Sequence, residues 1–370
     1  MKKNNSIALG YSNFSHSLFL FAFMISLILS SSAFAAGDVV KLAPNHPDTH
    51  TVVKGDTLWD ISGKFLQNPW QWPEIWQINP QIKNPHLIYP GDILDLIYVD
   101  GKPMIKRRAG SRPTFKLSPK KRIQALDRSI PTIDLEKIGP FLSGNIVVER
   151  NTLRNAPYVV GTSDGHLIAA TGVEVYVKNI PQNTKNNRFG IFRAGDTYYN
   201  PKNKSEIIGY EAILLGDAIL KVLGNPSTLT INSSKAEILN GHRVIALDDK
   251  NFNKNFSPRA ANTDKSAKII SALTSGIQSG VNNIGAFDVV IINLGLKDGI
   301  DTGDVFDVYR YGKIIIDPVQ SAQQIKLPDE ISGNLLVFRA FKQVSYAIVV
   351  DATQAMKVGD VVRSPHSRRK

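Results

Sequence analysis

Few side chains in this 370-residue sequence have the type and spacing for hydrolytic chemistry. Beyond residue 35 the imidazoles are His46, His50, His86, His166, His242 and His366, and none shows the H-E-x-x-H or His-x-His spacing of a zinc site. Each reads as a surface or turn residue. Cysteine is absent, which removes disulfides, thiolate metal sites and cysteine nucleophiles. A serine nucleophile elbow of the G-x-S-x-G kind is not expected. Glu206, Glu211 and Glu330 sit in β-type sequence, and none has a second carboxylate at a recognisable offset, although paired carboxylates can also meet in space. Thr302-Gly303-Asp304-Val305 and Val358-Gly359-Asp360-Val361 lack the alternating ligands and terminal Glu of a calcium loop. They read as turns: Gly takes a positive φ, Asp bonds to local backbone, and the β-branched residue opens a strand. These residues predict no catalytic site, no metal and no cofactor.

The elements around them begin with an export signal at residues 1–35. Lys2 and Lys3 precede an apolar run, Leu18 to Leu29, and Ala33-Phe34-Ala35 gives the small-residue cleavage pattern. The run is shorter than the roughly 20 residues of a spanning helix, so the mature chain is expected to have no transmembrane span. Cleavage removes the two lysines and takes the formal charge from +12 to +10. Residues 102 to 122 carry Lys102, Lys106, Arg107, Arg108, Arg112, Lys116, Lys120, Lys121 and Arg122 without any Asp or Glu. The stretch reads as part of a basic linker, 98–139, that is either a soluble tether or a contact with anionic wall polymer or lipid headgroups. Export excludes nucleic acid as its partner.

Residues 50 to 97 read as strand, helix, helix, strand. Thr51 to Val53 is a short strand, Asp56 or Thr57 caps a helix, and Leu58, Ile61 and Phe65 share its buried face. Pro73 opens a second helix with Trp72, Ile75, Trp76 and Asn79 on one side, and Pro90-Gly91 turns the chain into the strand Ile93 to Ile97. The four tryptophans of the protein, Trp59, Trp70, Trp72 and Trp76, all lie here. Trp59 and Trp76 are expected in the core, and Trp70 and Trp72 nearer the surface.

Val53 to Trp59, Ile78-Asn79-Pro80 and Leu87 to Leu94 make this segment resemble the LysM peptidoglycan-binding domain, with a longer tryptophan-rich part between the helices. The rest of the chain resembles a family of Gram-negative LysM-containing envelope proteins, with Ile208 to Ala212 and Leu336 to Arg339 as landmarks, and that wider likeness brings no activity with it. The LysM resemblance implies binding of N-acetylglucosamine-containing glycan, hence peptidoglycan as partner. It places the groove at Gly55, Asp56, Thr57 and Leu58 on one side and Asn79, Leu87 and Ile88 on the other. Helix-start N–H groups would meet acetamido oxygens there, and Leu87 and Ile88 would cover sugar faces.

From Pro140 the chain is dominated by β-type runs: Ile146 to Val148, Tyr158 to Val160, Val173 to Val177, Ile213 to Val222, Val289 to Ile292, Val305 to Tyr309 and Ala347 to Val350. Lys268 to Val281 fits a helix or a strand equally. An internal repeat aligns Ile191–Gly195, Glu206–Gly209, Ala218–Leu220 and Gly241–Val244 with Val308–Gly312, Glu330–Gly333, Ala347–Val349 and Gly359–Val362. The expected fold is therefore α+β: a small βααβ LysM module, then a mostly β region of two related small barrel or sandwich-like units. They span residues 140–250 and 269–370, with a polar loop at 251–268 between them. The expected function is a non-catalytic, exported, peptidoglycan-associated protein of the periplasm or cell envelope, whose β region faces an envelope protein partner. The alternatives are a wall-modifying enzyme with an unrecognised site in the β region, or an assembly factor for an envelope machine.

Overall fold

The computed structural model describes residues 40–76, 88–108, 132–133, 144–247, 257–273, 283–319 and 323–365. Apart from Val40 and Lys41 these fall in one unit, Leu42–Lys370. Its first part is a small module of β1 (Thr49–Thr51), α1 (Leu58–Phe65), a 3-10 turn (Pro69–Gln71), α2 (Trp72–Ile75) and β2 (Ile93–Val99). Thr57 is the residue that caps α1, accepting the Asp60 N–H at 3.1 Å. Leu58, Ile61 and Phe65 are buried as their spacing requires.

Two boundaries of the module differ from the sequence expectation, the first being that its opening strand is Thr49–Thr51 and not Thr51–Val53. The first residues of the basic stretch are not linker but β3 (Lys102–Arg107), which pairs antiparallel with β2 from Leu94↔Arg107 to Val99↔Lys102. Asp100 and Gly101 both have positive φ, 49° and 74°, and an Asp-Gly pair in that conformation makes a two-residue hairpin whose twist suits the strands it joins. Burial of Met104 and Ile105 holds the strand down. The rest of the expected linker lies outside the described residues, except Arg108, which pairs with Asp95 at 2.6 Å, and Thr132 and Ile133.

The β region forms two closed sheets. In the first, β5 (Tyr158–Thr162), β6 (Glu174–Lys178), β9 (Ser227–Ser234), β8 (Asn203–Val222), β7 (Arg188–Asn200) and β10 (Arg243–Ala246) pair in that order, and β10 returns to β5. A leading strand β4 (Ile146–Val148) pairs with the outer part of β8, and a short helix α3 (Arg150–Asn155) follows it. In the second, β12 (Ala267–Leu273), β13 (Val289–Ile292), β18 (Ser345–Ala352), β17 (Glu330–Ala340), β14 (Asp304–Arg310) and β19 (Val361–Arg363) pair in that order, and β19 returns to β12. Its leading strand is β11 (Arg259–Ala260), parallel to β14. Part of the expected polar loop is thus strand, and the ambiguous run begins as β12. A separate two-stranded ribbon, β15 (Ile314–Ile316) and β16 (Gln324–Lys326), rises between β14 and β17.

Strand by strand the two rings follow one path, but not in the register that the sequence alignment suggests. Ile191 on β7 faces Val244 and Gly216, and Val308 on β14 faces Val362 and Gly333. Gly216, not Gly209, therefore stands where Gly333 stands. A Cβ would lie 2.3 Å from the Ser233 carbonyl oxygen at Gly216 and 2.0 Å from that of Asp351 at Gly333. Close approach of the next strand selects glycine at both. Ala218–Leu220 lies on β8, whereas Ala347–Val349 lies on β18, so that pair of segments does not correspond.

Alternation fills the interiors: Val175, Val177, Ile191, Leu229 and Val244 in the first ring, and Val290, Ile292, Phe306, Val337 and Val349 in the second. The second ring is buried on its outer face as well. Val289, Ile291, Leu336, Phe338, Tyr346 and Ile348 point away from the interior into another apolar cluster, which Trp59 and Trp70 of the module and Val147, Tyr198 and Ile208 of the first ring complete. Strands covered on both faces read as unbroken apolar runs, which is why Val289–Ile292 and Leu335–Phe338 show no polar alternation.

Candidate functional site

Two turns of the same build stand side by side at one end of the module's sheet. In Val53-Lys54-Gly55-Asp56 the Asp56 N–H donates to the Val53 carbonyl at 3.2 Å, and the Val53 N–H donates to Asp56 Oδ2 at 3.0 Å. In Tyr89-Pro90-Gly91-Asp92 the equivalent bonds are 3.0 and 3.1 Å. Gly55 and Gly91 take φ of 100° and 92°, a conformation that glycine alone adopts without strain. Val52 ties the turns together: its N–H donates to the Asp92 carbonyl at 2.9 Å, and its carbonyl accepts from the Gly91 N–H at 2.8 Å.

This arrangement brings Gly55, Asp56, Thr57 and Leu58 to the same end of the module as Ile88, which directly precedes the second turn. Asn79 and Leu87 lie outside the described residues. Gly55 is exposed, with nothing within 4 Å of the position a Cβ would take. Thr57, Leu58 and Ile88 are buried, so their side chains pack into the module and not onto its surface. Asp56 is committed to the turn. Its Oδ2 also meets His50 Nε2 at 2.9 Å, and Lys64 stands 4.0 Å from its Oδ1. Burial by itself would raise this carboxyl, but the Val53 N–H, His50 and Lys64 together hold it below the usual aspartate value.

The amides at the helix start are unequal. The Thr57 hydroxyl takes the Asp60 N–H, and the carbonyl of Thr132, from the segment beyond the basic stretch, takes that of Trp59 at 3.1 Å. Gly55, Thr57 and Leu58 donate no backbone hydrogen bond among the described residues. Exposed Val53 and Lys54 directly precede Gly55.

The tryptophans depart from expectation in part. Trp59 and Trp76 are in the core, but Trp70 and Trp72 are buried too, 5% and 1% exposed. Trp59 and Trp70 reach their cover outside the module, in the cluster shared with the rings. A module this small has too little interior to enclose four indoles by itself.

For catalysis, one expectation needs correcting. Gly161-Thr162-Ser163-Asp164-Gly165 does have the G-x-S-x-G spacing. It lies where β5 ends and turns toward β6, with Gly165 at φ 73°, and no helix follows it. It is a hairpin turn, and the neighbouring His166 ring is exposed and bonded to Asp164 at 2.9 Å. That ring and the Thr162–Asp164 turn bonds hold Asp164 down at about 2, the backbone N–H of His166 contributing most. His242 is a turn residue, its Nδ1 accepting the Leu239 N–H at 2.9 Å. Asp304 and Asp360 accept the N–H of Asp301 at 2.9 Å and of Lys357 at 2.8 Å, as local turn bonds. Among the described residues no three His, Cys, Asp or Glu side chains group as metal ligands, and no helix is long and apolar enough to cross a membrane.

Residues 50–96 match the LysM domain family. The chain therefore carries a LysM domain, a class of module that binds peptidoglycan and related N-acetylglucosamine glycans. The chain is similar to Uncharacterized protein YqbP of Bacillus subtilis (strain 168), 42% identical over 60 residues. That match covers 14% of this chain and 27% of YqbP, so the likeness spans about a quarter of the relative's length.

Proposed function

We propose that this protein is a non-catalytic, exported envelope protein that holds peptidoglycan between the Val53–Asp56 turn and Ile88. The paired turns carry the reading: they fix Gly55 in open space beside the N–H groups of Thr57 and Leu58, which donate no backbone hydrogen bond among the described residues. Such groups can meet an acetamido oxygen without displacing a bond of the fold. In this reading Gly55, Asp56, Thr57, Leu58 and Ile88 supply the cleft's backbone and floor, and the LysM likeness assigns Asn79 and Leu87, which lie outside the described residues, to the same glycan contact. The amino-terminal signal and the match to a wall-binding domain support a periplasmic or envelope address. The common path of the two rings supports a duplicated β region, which in this reading faces an envelope protein.

The test is co-sedimentation with purified sacculi at low and high salt, with soluble N-acetylglucosamine oligomers as competitor. Removing residues 50–97 would also open the cluster around Trp59 and Trp70, so Gly55→Val is the better variant. It fills the cleft and costs about 1–2 kcal/mol of backbone strain at positive φ. The expected result is salt-resistant pelleting that the oligomers compete away and that Gly55→Val weakens at least about tenfold, with the circular-dichroism spectrum kept. Pelleting that ignores both and collapses in salt would assign wall contact to the basic stretch and remove the cleft from the account.

A further inference from the structure

The ribbon β15–β16 is the most exposed apolar feature among the described residues. Ile314, Ile316 and Val319 are 59%, 65% and 88% exposed, and Ile315 and Ile325 are also open. Its root is fixed. The Leu327 N–H donates to the Lys313 carbonyl at 2.9 Å, and the Asp317 N–H to the Gln323 carbonyl at 2.8 Å. Asp329 accepts the Gly312 N–H and pairs with Lys326 at 2.9 Å and Arg363 at 3.3 Å. The ribbon is thus held out rigidly with no third strand beside it among the described residues. An isolated two-stranded ribbon is marginal in water, and an apolar open edge is a template for another strand.

The bonds at root and tip also set which backbone groups face that edge. Lys313, Ile315 and Asp317 turn their backbone groups toward β16, so Ile314 and Ile316 turn theirs outward. Hydrocarbon could not satisfy those outward groups, which argues against a lipid occupant. The edge sequence is self-complementary. Run antiparallel against itself about Ile315, the segment Lys313-Ile314-Ile315-Ile316-Asp317 sets Lys313 opposite Asp317 of the second copy and Ile314 opposite Ile316 of the second copy. Opposite charges then meet at both ends and apolar residues in the middle. The outward N–H and C=O groups of Ile314 and Ile316 form the reciprocal hydrogen-bonded pairs. Because Ile315 already lies opposite Ile325, the two ribbons would make one four-stranded sheet with an unbroken row of isoleucines across its dyad.

We propose that β15 is a homodimerisation edge, and that two copies of this chain pair antiparallel through Lys313–Asp317. The geometry is isologous, as a two-fold axis demands. If the peptidoglycan reading also holds, each dimer presents two LysM domains, and the second engagement with the wall becomes intramolecular.

Sedimentation equilibrium without glycan tests this independently of wall binding. The full chain, expressed through its own export signal, is compared with Lys313→Asp, Asp317→Lys and the double exchange. The expected result is a concentration-dependent dimer that each single reversal weakens roughly tenfold or more, since like charges then face each other at both ends, and that the exchange restores. A second arm adds vesicles of anionic phospholipid, which should neither pellet the protein nor shift the equilibrium. A chain monomeric to high micromolar concentration, a dimer indifferent to the reversals, an exchange that fails to restore, or vesicle binding through the ribbon would each overturn the proposal.

Discussion

The two rings answer the same local problems with different residues. Where the first ring enters β6, Gly172 donates its N–H to the Ile231 carbonyl at 2.8 Å with φ 87°. At the matching place in the second, Phe287 does the same to Val349 at 2.7 Å with φ 71°. Before the closing strand, Gly241-His242 and Gly359-Asp360 make the same turn, with an imidazole nitrogen in one and a carboxylate in the other accepting the N–H three residues back. Between the third and fourth strands of the path, the first ring runs a tight turn at Asn200–Asn203, while the second inserts the ribbon. Path and close contacts are common to both; the turn chemistry and the outer surface are free to diverge. A ring's closure is set by where backbones touch, and side chains at turns need only supply an acceptor.

Outer cover is the deepest difference. The 3-10 turn that carries Trp70 packs against β11, the leading strand of the second ring, and the apolar cluster there draws most of its residues from that ring. Trp70→Ala should therefore cost about 3–5 kcal/mol and should lower the second ring's stability more than the first's. Hydrogen exchange resolves the two, through amides of β13 and β18 against those of β6 and β9. Equal loss in both rings would mean that the module is not a specific cover for the second.

Next in size is the glycine register. Gly216→Ala and Gly333→Ala each force a Cβ into a carbonyl oxygen of the neighbouring strand, and Gly333 adds a φ of 154°. About 3 kcal/mol is expected from each. Gly209→Ala meets only the end of the Val147 side chain, at 2.4 Å from Cγ1, which can rotate or shift. It should cost clearly less in urea denaturation. If Gly209→Ala proved as damaging as Gly333→Ala, with Gly216→Ala mild, the alignment suggested by sequence would be right and the pairing above wrong.

Sequence carried the module and the strands well because their signals are local. Thr57 before Leu58, Ile61 and Phe65 specifies a capped amphipathic helix, and Gly-Asp before a β-branched residue specifies a turn, whatever surrounds them. The same locality explains the errors. Gly209 looked equivalent to Gly333 because each ends a Glu-Ile-x-Gly string, yet equivalence in a closed sheet depends on which residue faces Ile191 or Val308 across strands distant in sequence. Trp70 looked free because its cover comes from residues remote in sequence, those of β11 and of the second ring's outer face among them. The Asp100-Gly101 hairpin was legible, but the nine cations that follow Gly101 outweighed it, although Met104 and Ile105 lie among them. Of the site, the Gly55 turn was readable as a turn, whereas the loss of the Trp59 N–H to Thr132 was not, since no local pattern announces a carbonyl brought from beyond a linker.

The smallest expected effect separates the two closing turns by pH. His242 can accept the Leu239 N–H through Nδ1 only while that nitrogen is unprotonated. Burial, with Arg193 nearby, pushes its imidazole below the ordinary histidine value. A folded value below the unfolded one of about 6.5 means that the unfolded chain takes up the proton more readily. The stabilisation is then complete above about pH 6.5 and is lost as pH falls through the lower folded value. Asp360 holds the same turn without an imidazole, so the second ring lacks this dependence. His242→Asp should remove it from the first ring, and Asp360→His should introduce it in the second. Denaturation midpoints at pH 8, 7, 6 and 5 would show this as a slope that disappears in one variant and steepens in the other. Parallel slopes in all three proteins would mean that the His242 ring does not carry the turn and that the likeness of the two closures is one of backbone alone.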